Sequence, residues 1–376
     1  MLKHLFAELI QCAGSSAIYS YIALVVVGVV TTLFYMRNRL RPSLGGTEAI
    51  NCSANAANVV SVNYHFTRQC NYSCKFCFHT AKTSHLVPIE EACRGMKLLK
   101  EAGMRKINFS GGEPFLIRRG KQVGQMVRYA KETLQLESVT IVTNGSLVTE
   151  EWFEQYGQWL DIMAISCDSF DEGTNELIGR TAANAAARQV EVAYRVQELC
   201  GRFGVKFKLN TVVNTHNVNE DMTEHIARLQ PARWKVFQCL LIDGENAGGQ
   251  DLRDARALVI TDDQFAAFLA RHKALSPIAE SNSVMRNSYV IVDEYFRFLN
   301  NVNGSKEPSM SILDKGVQGA WGKTVFDQAG FVERSGEYEW TRLAEKNSTG
   351  TSTSTSTLAR IPDTNVVLRA VKELSD

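Results

Sequence analysis

From residue 59 onward the chain alternates between short apolar runs and amphipathic stretches, and this alternation constrains the fold more than any other feature. Six runs have the length and composition of strands: Val59–Phe66, Lys106–Phe109, Ser138–Val142, Ile162–Ser166, Lys206–Val212 and Arg233–Leu240. Helical stretches between them are Glu90–Ala102, Val123–Leu134, Gln189–Leu199 and Glu220–Ala227. Repeated strand–helix units predict an α/β fold with a parallel sheet and right-handed crossovers. Such a sheet carries its functional residues at the carboxyl ends of its strands.

An uncharged segment near the amino terminus, Ala17–Met36, predicts a membrane helix. At about 1.5 Å per residue it reaches about 30 Å, the thickness of a bilayer core. Arg37, Arg39 and Arg41 follow it, and the positive-inside bias then places the rest of the chain on the cytoplasmic side. One alternative is a cleaved signal peptide, for which the run is long and the charge lies on the wrong side. Another is an interfacial amphipathic helix, for which the polar residues are too few.

These patterns divide the chain into five parts. We predict a membrane anchor at 1–42 with its helix at about 17–36, a linker at 43–60, the β/α repeats at 61–275, a C-terminal extension at 276–340 and a variable tail at 341–376. The tail begins with a Ser/Thr-rich tract that is too polar to form a packed core.

Charge and cysteine content narrow the function classes. The net charge is +1, from 41 Lys and Arg against 40 Asp and Glu, so we expect no bulk polyanion partner and no direct contact with nucleic acid. Of the nine cysteines, three lie within eight residues, whereas the others are scattered through the chain. A tight cluster in a reducing compartment indicates metal or redox chemistry.

The most specific motif is Cys70-Asn-Tyr-Ser-Cys74-Lys-Phe-Cys77, which follows the first predicted strand. Three thiolates at this spacing can each bind one iron of a cubane cluster, which leaves the fourth iron without a protein ligand. An open metal position is typical of a catalytic site. Spacing alone leaves two alternatives open: a structural zinc site completed by His65 or His79, and a four-cysteine cluster completed by a distant cysteine.

A second motif, Ser110-Gly111-Gly112-Glu113-Pro114, follows the second predicted strand. Its glycines allow the backbone to approach a ligand closely. With the cysteine motif one β/α unit earlier, the chain resembles the radical S-adenosylmethionine superfamily. This resemblance implies a partial (βα)6 TIM-like barrel of the radical-SAM type, a 4Fe-4S cluster on the three cysteines, and S-adenosylmethionine on the open iron. The GGE edge would hold its amino group, and Phe76 would lie near its adenine.

Basic residues in and beside the strands form a third candidate group. Lys208 and Lys235 interrupt apolar strand sequences, Lys106 and Arg233 begin strands, and Arg180 follows a glycine. Inside a barrel, an unpaired cation is costly. Several inward cations therefore suggest an anionic ligand, with a triphosphate as the candidate. For any single lysine, a solvated position at the sheet edge is the alternative.

Longer segments resemble one family within this superfamily, the membrane-tethered viperin enzymes of antiviral defence. The resemblance runs from about Ser61 to Trp340, roughly three quarters of the chain. The segments that carry it are 63–70, 77–84, 106–115, 164–170, 233–246 and 293–300.

The family resemblance implies a nucleoside-triphosphate dehydratase. The reduced cluster would cleave S-adenosylmethionine to a 5′-deoxyadenosyl radical that takes the 4′ hydrogen of CTP. Water then leaves with the 3′ hydroxyl, and a second electron and a proton give 3′-deoxy-3′,4′-didehydro-CTP. The family's further partners would be an external electron donor and cluster-assembly proteins, and its membrane is that of the endoplasmic reticulum.

The resemblance also assigns residues by matching positions. Those around S-adenosylmethionine are Phe76, Ser110, Gly111, Gly112, Glu113, Asn144, Ser166 and Arg180. Those around the nucleotide are Asn63 and Asn210 at the ribose and Lys106, Lys208, Arg233, Lys235 and Lys306 at the triphosphate. Tyr289 would supply hydrogen in the second reduction, with a packed aromatic as the alternative. We expect the Gly/Ser/Lys-rich stretch Asn300–Gly322 to be flexible and to close over the triphosphate.

Three departures from the family keep other functions open. The amino-terminal segment predicts a spanning helix where the family has an amphipathic one. Residues 181–187 are Thr-Ala-Ala-Asn-Ala-Ala-Ala, where animal members are more basic, so UTP stands as an alternative to CTP. The chain ends in Leu-Ser-Asp, without the tryptophan that recruits cluster-loading proteins. A peptide- or tRNA-modifying enzyme and a membrane-tethered scaffold with a structural cluster are the rival functions.

Overall fold

The computed structural model of the chain describes residues 59–181, 188–300, 304–322, 324–334 and 336–342. All of them belong to one compact unit. The predicted membrane helix at about 17–36, and nearly all of the predicted linker and tail, lie outside these residues. Within the described ranges, no helix is long and apolar enough to cross a membrane.

The six predicted strands are all present, and their ends differ from the prediction by at most two residues. They are β1 (Ser61–Thr67), β2 (Lys106–Gly111), β3 (Ser138–Thr143), β4 (Ile162–Ser166), β5 (Lys206–Val213) and β6 (Arg233–Gln238). Each pairs in parallel with the next along the chain. The predicted β/α alternation is therefore confirmed.

Helices connect these strands. They are α1 (Ile89–Glu101), α2 (Lys121–Arg128), α3 (Glu150–Tyr156), α4 (Glu172–Ile178), α5 (Gln189–Arg202) and α6 (Thr223–Leu229). In α1, Met96 and Leu99 are fully buried, whereas the acidic residues Glu90 and Glu91 occupy its first turn. Apolar residues at helical spacing bury one face, and carboxylates complement the positive end of the helix dipole.

The described residues of the C-terminal part add four strands that the sequence pattern did not predict. These are β7 (Ile278–Glu280), β8 (Val290–Val292), β9 (Arg297–Asn300) and β10 (Glu307–Ser311), with α7 (Asp262–Arg271), α8 (Asn282–Met285), α9 (Ile312–Trp321) and α10 (Gln328–Glu333). The sheet order is β10-β9-β8-β1-β2-β3-β4-β5-β6-β7. β7 and β8 extend the parallel sheet on opposite sides, whereas β9 and β10 are antiparallel. The predicted parallel sheet is thus the centre of a larger mixed sheet.

The expectation of a flexible stretch at Asn300–Gly322 is wrong for Glu307–Trp321. These residues form β10 and α9, and Ile312 and Trp321 are buried in the core. The Trp321 ring packs edge-on against Phe298 of β9, with 5.0 Å between the ring centroids. Apolar residues on one helix face outweigh the surrounding Gly and Ser.

Strand residues alternate between a packed face and a face that lines a cavity. In β1, Val62 and Tyr64 are fully buried in the core, whereas Asn63 and His65 line the cavity. In β5, Leu209 is buried in the core and Asn210 lines the cavity. The strand period of two therefore supplies the core and the candidate site from the same segments.

The C-terminal segment 336–342 lies at one end of the sheet, and the loop that carries Cys70, Cys74 and Cys77 lies at the other end. Ser138 Oγ donates to the Trp340 carbonyl at 2.9 Å, and Lys206 Nζ donates to the Glu339 carbonyl at 2.8 Å. Because Ser138 and Lys206 are the first residues of β3 and β5, the segment packs at the amino ends of the strands. Closure of the site by the whole of 276–340 stays a prediction.

Candidate active site

The three clustered cysteines lie on the loop after β1 and line one cavity of about 390 Å³. All three are free thiols. Two hydrogen bonds to its backbone hold the loop from outside: Lys75 N donates to Ile178 O at 2.9 Å, and the side-chain amide Nδ2 of Asn246 donates to Phe76 O at 2.9 Å. The end of α4 and the loop after β6 therefore fix the position of the cysteines.

The thiols fit a cluster better than a single ion. Among the described residues, no three His, Cys, Asp or Glu side chains are arranged to hold one metal ion. A cubane instead takes one thiolate per iron, so three thiols around an open cavity match three irons and leave the fourth free. Burial raises the pKa of Cys70 to about 12 and that of Cys74 to about 11. Metal binding would therefore have to displace protons from these thiols.

The GGE motif builds the edge of the cavity beside the cysteine loop. A Cβ on Gly111, whose φ is +119°, would lie 2.3 Å from Thr67 O, and one on Gly112 would lie 2.1 Å from Gln69 O. Gly112 N donates to Thr67 O at 2.7 Å. The glycines thus allow their backbone to approach the segment that leads into Cys70. From the sequence, we had expected this close approach to be to a ligand.

Glu113 is fully buried, and its carboxylate is engaged by the protein. It accepts hydrogen bonds from Thr143 Oγ1 at 2.5 Å, Asn144 N at 2.8 Å and Phe115 N at 3.0 Å. Burial raises the pKa of Glu113, while these hydrogen bonds oppose the shift. The carboxylate therefore joins the ends of β2 and β3.

The other residues predicted around S-adenosylmethionine line the same cavity: Phe76, Ser110, Asn144, Ser166 and Arg180. Arg180 forms a buried ion pair with Asp168, and its guanidinium lies 5.6 Å from the centre of the Phe76 ring. Burial lowers the pKa of Arg180, and the Asp168 carboxylate raises it. The net shift is upward, so the guanidinium stays charged. Arg180 thus has a partner within the protein, and its assignment to S-adenosylmethionine stays a prediction.

The five cations predicted at the triphosphate fall into two groups. Lys208 of β5 is in register with Arg233 of β6, and Lys235 lies two residues further along β6. Burial lowers the pKa of Lys106, Lys208 and Lys235, and the neighbouring cations add to each shift. Burial, Arg233 and Lys235 lower the pKa of Lys106 to about 7. No ion pair involves Lys106 or Lys208 in the described part of the chain.

Lys306 lies apart from that group, beside the cysteine loop. Its ammonium donates to the Phe78 carbonyl, lies 3.3 Å from His79 Nδ1 and is 3.8 Å from Glu245 Oε1. Sequence position could not reveal this separation, because Lys306 precedes a strand that the pattern did not predict. Its assignment to the triphosphate stays a prediction.

Lys235 is also not the unpaired cation that the sequence suggested. It forms a buried ion pair with Glu280, which also pairs with Arg334 at 3.2 Å. Lys235 Nζ donates to Tyr289 OH at 2.8 Å, and burial raises the pKa of that phenol. Tyr289 lines the cavity together with Asn63 and Asn210.

Sequence reasoning missed several residues of the site: Asp168, Gln189, Glu245, Glu280 and Arg334. Gln189 Nε2 donates to the carbonyls of Asn144 and Ser166, at 3.0 and 2.8 Å. Asp168 and Glu245 lie within the family-like segments 164–170 and 233–246, so that signal could have identified them. Glu280 and Arg334 lie outside the six predicted strand–helix units and had no comparable signal.

Comparisons with known proteins agree with this arrangement. Residues 64–230 match the sequence model of a protein family described as "Radical SAM superfamily". The chain is 57% identical over 293 residues to S-adenosylmethionine-dependent nucleotide dehydratase RSAD2 of Siniperca chuatsi, covering 78% of this chain and 82% of that protein. It is 58% identical over 287 residues to the protein of the same name from Danio rerio, covering 76% of this chain and 79% of the relative.

The solved structure of Streptococcus suis SuiB bound to S-adenosylmethionine superposes with a TM-score of 0.51 at 15% identity, covering 73% of this chain and 68% of SuiB. At that identity the similarity shows the fold alone.

Proposed function

The chain belongs to the radical S-adenosylmethionine superfamily and, within it, to the nucleotide dehydratases, and from this premise we propose that it converts CTP to 3′-deoxy-3′,4′-didehydro-CTP. It is an enzyme that uses a 4Fe-4S cluster and S-adenosylmethionine and acts on a nucleotide. When bound, these two groups supply the radical chemistry that removes a ribose hydrogen. The identity of the base and the roles of individual residues are our proposal.

One observation carries the proposal beyond the family: a group of cations lies deep on the inner face of the sheet. Lys208 precedes Asn210 by two residues on β5, so both side chains are on the same strand face, about 7 Å apart along the strand. Asn210 is paired in register with Lys235 of β6. A nucleotide with its ribose at Asn63 and Asn210 would reach Lys106, Lys208, Arg233 and Lys235 with its phosphates. Charge-assisted hydrogen bonds would then offset the burial of these cations.

The remaining residues would orient the substrates. Cys70, Cys74 and Cys77 would hold the cluster, and the Arg180–Phe76 pair would form the wall beside S-adenosylmethionine. Tyr289, which lines the cavity and is hydrogen-bonded to Lys235, would donate hydrogen to the ribose. The surrounding polar and apolar walls would exclude water from the reacting atoms.

An anaerobic assay with each ribonucleoside triphosphate tests this function and the base preference. We expect the reduced, cluster-loaded enzyme to form 5′-deoxyadenosine together with a nucleotide lighter by one water, and to do so fastest with CTP. Mass spectrometry of the nucleotide fraction identifies the product. Faster turnover of UTP than of CTP would contradict the assignment of cytosine as the preferred base. Nucleotide-independent 5′-deoxyadenosine alone would contradict the substrate class.

The required electrons would come from an external donor, and cluster-assembly proteins would load the iron. The residue Cys70 is exposed although protein atoms surround its thiol, which supports a path for the donor to one edge of the cluster. Substituting candidate donor proteins for a chemical reductant in the same assay tests this requirement. A donor-free enzyme that turns over repeatedly would contradict it.

The sequence at 1–42 supports a tether to the cytoplasmic face of a membrane, proposed as that of the endoplasmic reticulum. We expect a chain lacking residues 1–42 to keep its turnover but to leave the membrane fraction, because the described site draws on residues from 59 onward. Cell fractionation and the turnover assay measure the two properties separately. A shortened chain that loads its cluster but is inactive would contradict the prediction.

A further inference from the structure

Glu280 is a buried carboxylate that the reaction outlined above does not use. It ends β7, pairs in register with Phe237 of β6, and is fully buried. A buried carboxylate is costly unless cations and hydrogen bonds compensate it. Here Oε1 pairs with both Lys235 and Arg334, whose side chains are also nearly buried. One carboxylate oxygen therefore joins β6 to the end of α10.

Lys235 is otherwise surrounded by positive charge. The titratable and charged groups that face it are Lys106 of β2, Lys208 of β5, Arg233 of β6, Glu280 of β7, Tyr289 before β8 and Arg334 after α10. Burial lowers the pKa of Lys235 to about 7, Glu280 opposes this shift, and the guanidiniums of Arg334 and Arg233 add to it. Glu280 is the carboxylate in this set, so its charge favours the ammonium form.

The same carboxylate fixes the surroundings of Tyr289. The Lys235 ammonium that it holds donates to Tyr289 OH at 2.8 Å. The Arg334 guanidinium that it holds lies 3.9 Å from the centre of the Tyr289 ring and donates to Ser288 O at 2.6 Å. The phenol is thus held at its hydroxyl and at its ring by two cations that share one counterion.

We propose that Glu280 is a positioning residue for the nucleoside triphosphate: it keeps Lys235 charged and, with Arg334, holds it against Tyr289 at the boundary between phosphate and ribose. This inference rests on the proposed function, because it names a nucleotide as the ligand of Lys235. Glu280 acts through Lys235 and need not touch the substrate. Arg334 is then a second cation in reach of the same phosphates.

The proposal has a direction in pH. Phosphate binding by Lys235 needs the ammonium, which is present below its pKa of about 7 and is lost as the pH rises above it. Removing the Glu280 charge lowers that pKa further, so the loss begins at lower pH. An arginine at position 235 stays protonated throughout this range and does not depend on a counterion for its charge.

The experiment compares the KM for CTP of the full-length, cluster-loaded enzyme over a pH series around neutrality. We expect Glu280→Gln to raise this KM by about fivefold at neutral pH, because lowering a pKa of about 7 by about one unit leaves roughly a tenth of Lys235 protonated instead of half, and by less at acidic pH. The double variant Glu280→Gln, Lys235→Arg should recover most of the loss. Glu339→Gln is the matched control, because its carboxylate also lies near a strand lysine, Lys206, but is mostly exposed.

Two outcomes overturn the proposal: an unchanged pH profile in Glu280→Gln, or a loss that Lys235→Arg does not restore. Should Glu280→Gln fail to fold, the single variant Lys235→Arg decides, because it should bind CTP without the wild-type change in KM near neutral pH. Nucleotide-independent cleavage of S-adenosylmethionine reports separately that cluster and cofactor sites are intact. A wild-type enzyme that binds no nucleoside triphosphate would contradict the proposed function itself.

Discussion

Replacing Cys74 with alanine is expected to abolish turnover. The Cys74 thiol lines the cavity with those of Cys70 and Cys77, so its loss leaves two thiols for a cluster that takes three. Removing a hydrogen-bond partner of a metal ligand typically lowers metal affinity or activity by up to about a hundredfold, and removing the metal ligand itself should lower them more. We therefore expect iron content and 5′-deoxyadenosine formation to fall by at least about a hundredfold after reconstitution.

The matched control is Cys93→Ala in α1. Cys93 is a partly buried free thiol that packs against the core and does not line the cavity. Its variant should load iron and turn over like the wild type. A Cys74→Ala protein that keeps both properties would contradict the cluster assignment and would favour a scaffold function.

Replacing Gly112 with alanine should be nearly as damaging, although the change adds a single methyl group. That methyl would lie 2.1 Å from Gln69 O, a backbone atom immediately before Cys70. Because two backbone segments would have to separate, we expect the free energy of unfolding to fall by about 3 kcal/mol, the upper range for overpacked sites. Chemical denaturation measures this change, and iron content after reconstitution reports the displaced cysteine loop.

Gly201→Ala provides the matched control. Gly201 lies in α5, and a Cβ there would have no heavy atom within 4 Å. Alanine also has the better helix propensity, so this variant should be as stable as the wild type or slightly more stable. Equal stability and iron content for Gly112→Ala and Gly201→Ala would contradict the close packing of the GGE edge on the cysteine loop.

Long-range periodicity made the centre of the fold predictable. Each of β1 to β6 is followed or preceded by an amphipathic helical stretch. A regular alternation of strand-like and helix-like segments along the chain predicts a parallel sheet. β7 and β8 escaped prediction because they have three residues each, too few to establish a period. α9 escaped because Gly316 and Gly319 lie between its apolar residues, and a segment with this composition resembles a loop.

The candidate site was predictable where a residue type and its spacing have one chemical use, as with the three cysteines. The site was less predictable where the role of a charged residue depends on whether an oppositely charged side chain lies next to it. Lys235 and Arg180 suggested unpaired cations, but their partners Glu280 and Asp168 are distant in sequence or lie on another loop. The position of Lys306 beside His79 likewise depends on how the C-terminal strands pack, which no local pattern encodes.

The most direct test of the central claim follows one hydrogen atom. CTP deuterated at the ribose 4′ carbon would be incubated anaerobically with the reduced, cluster-loaded enzyme and S-adenosylmethionine, and the 5′-deoxyadenosine analysed by mass spectrometry. If the bound nucleotide is the substrate of the radical chemistry, deuterium appears in the 5′-deoxyadenosine and the nucleotide product has lost it. Unlabelled 5′-deoxyadenosine beside unchanged CTP and, in parallel assays, unchanged UTP would contradict the account.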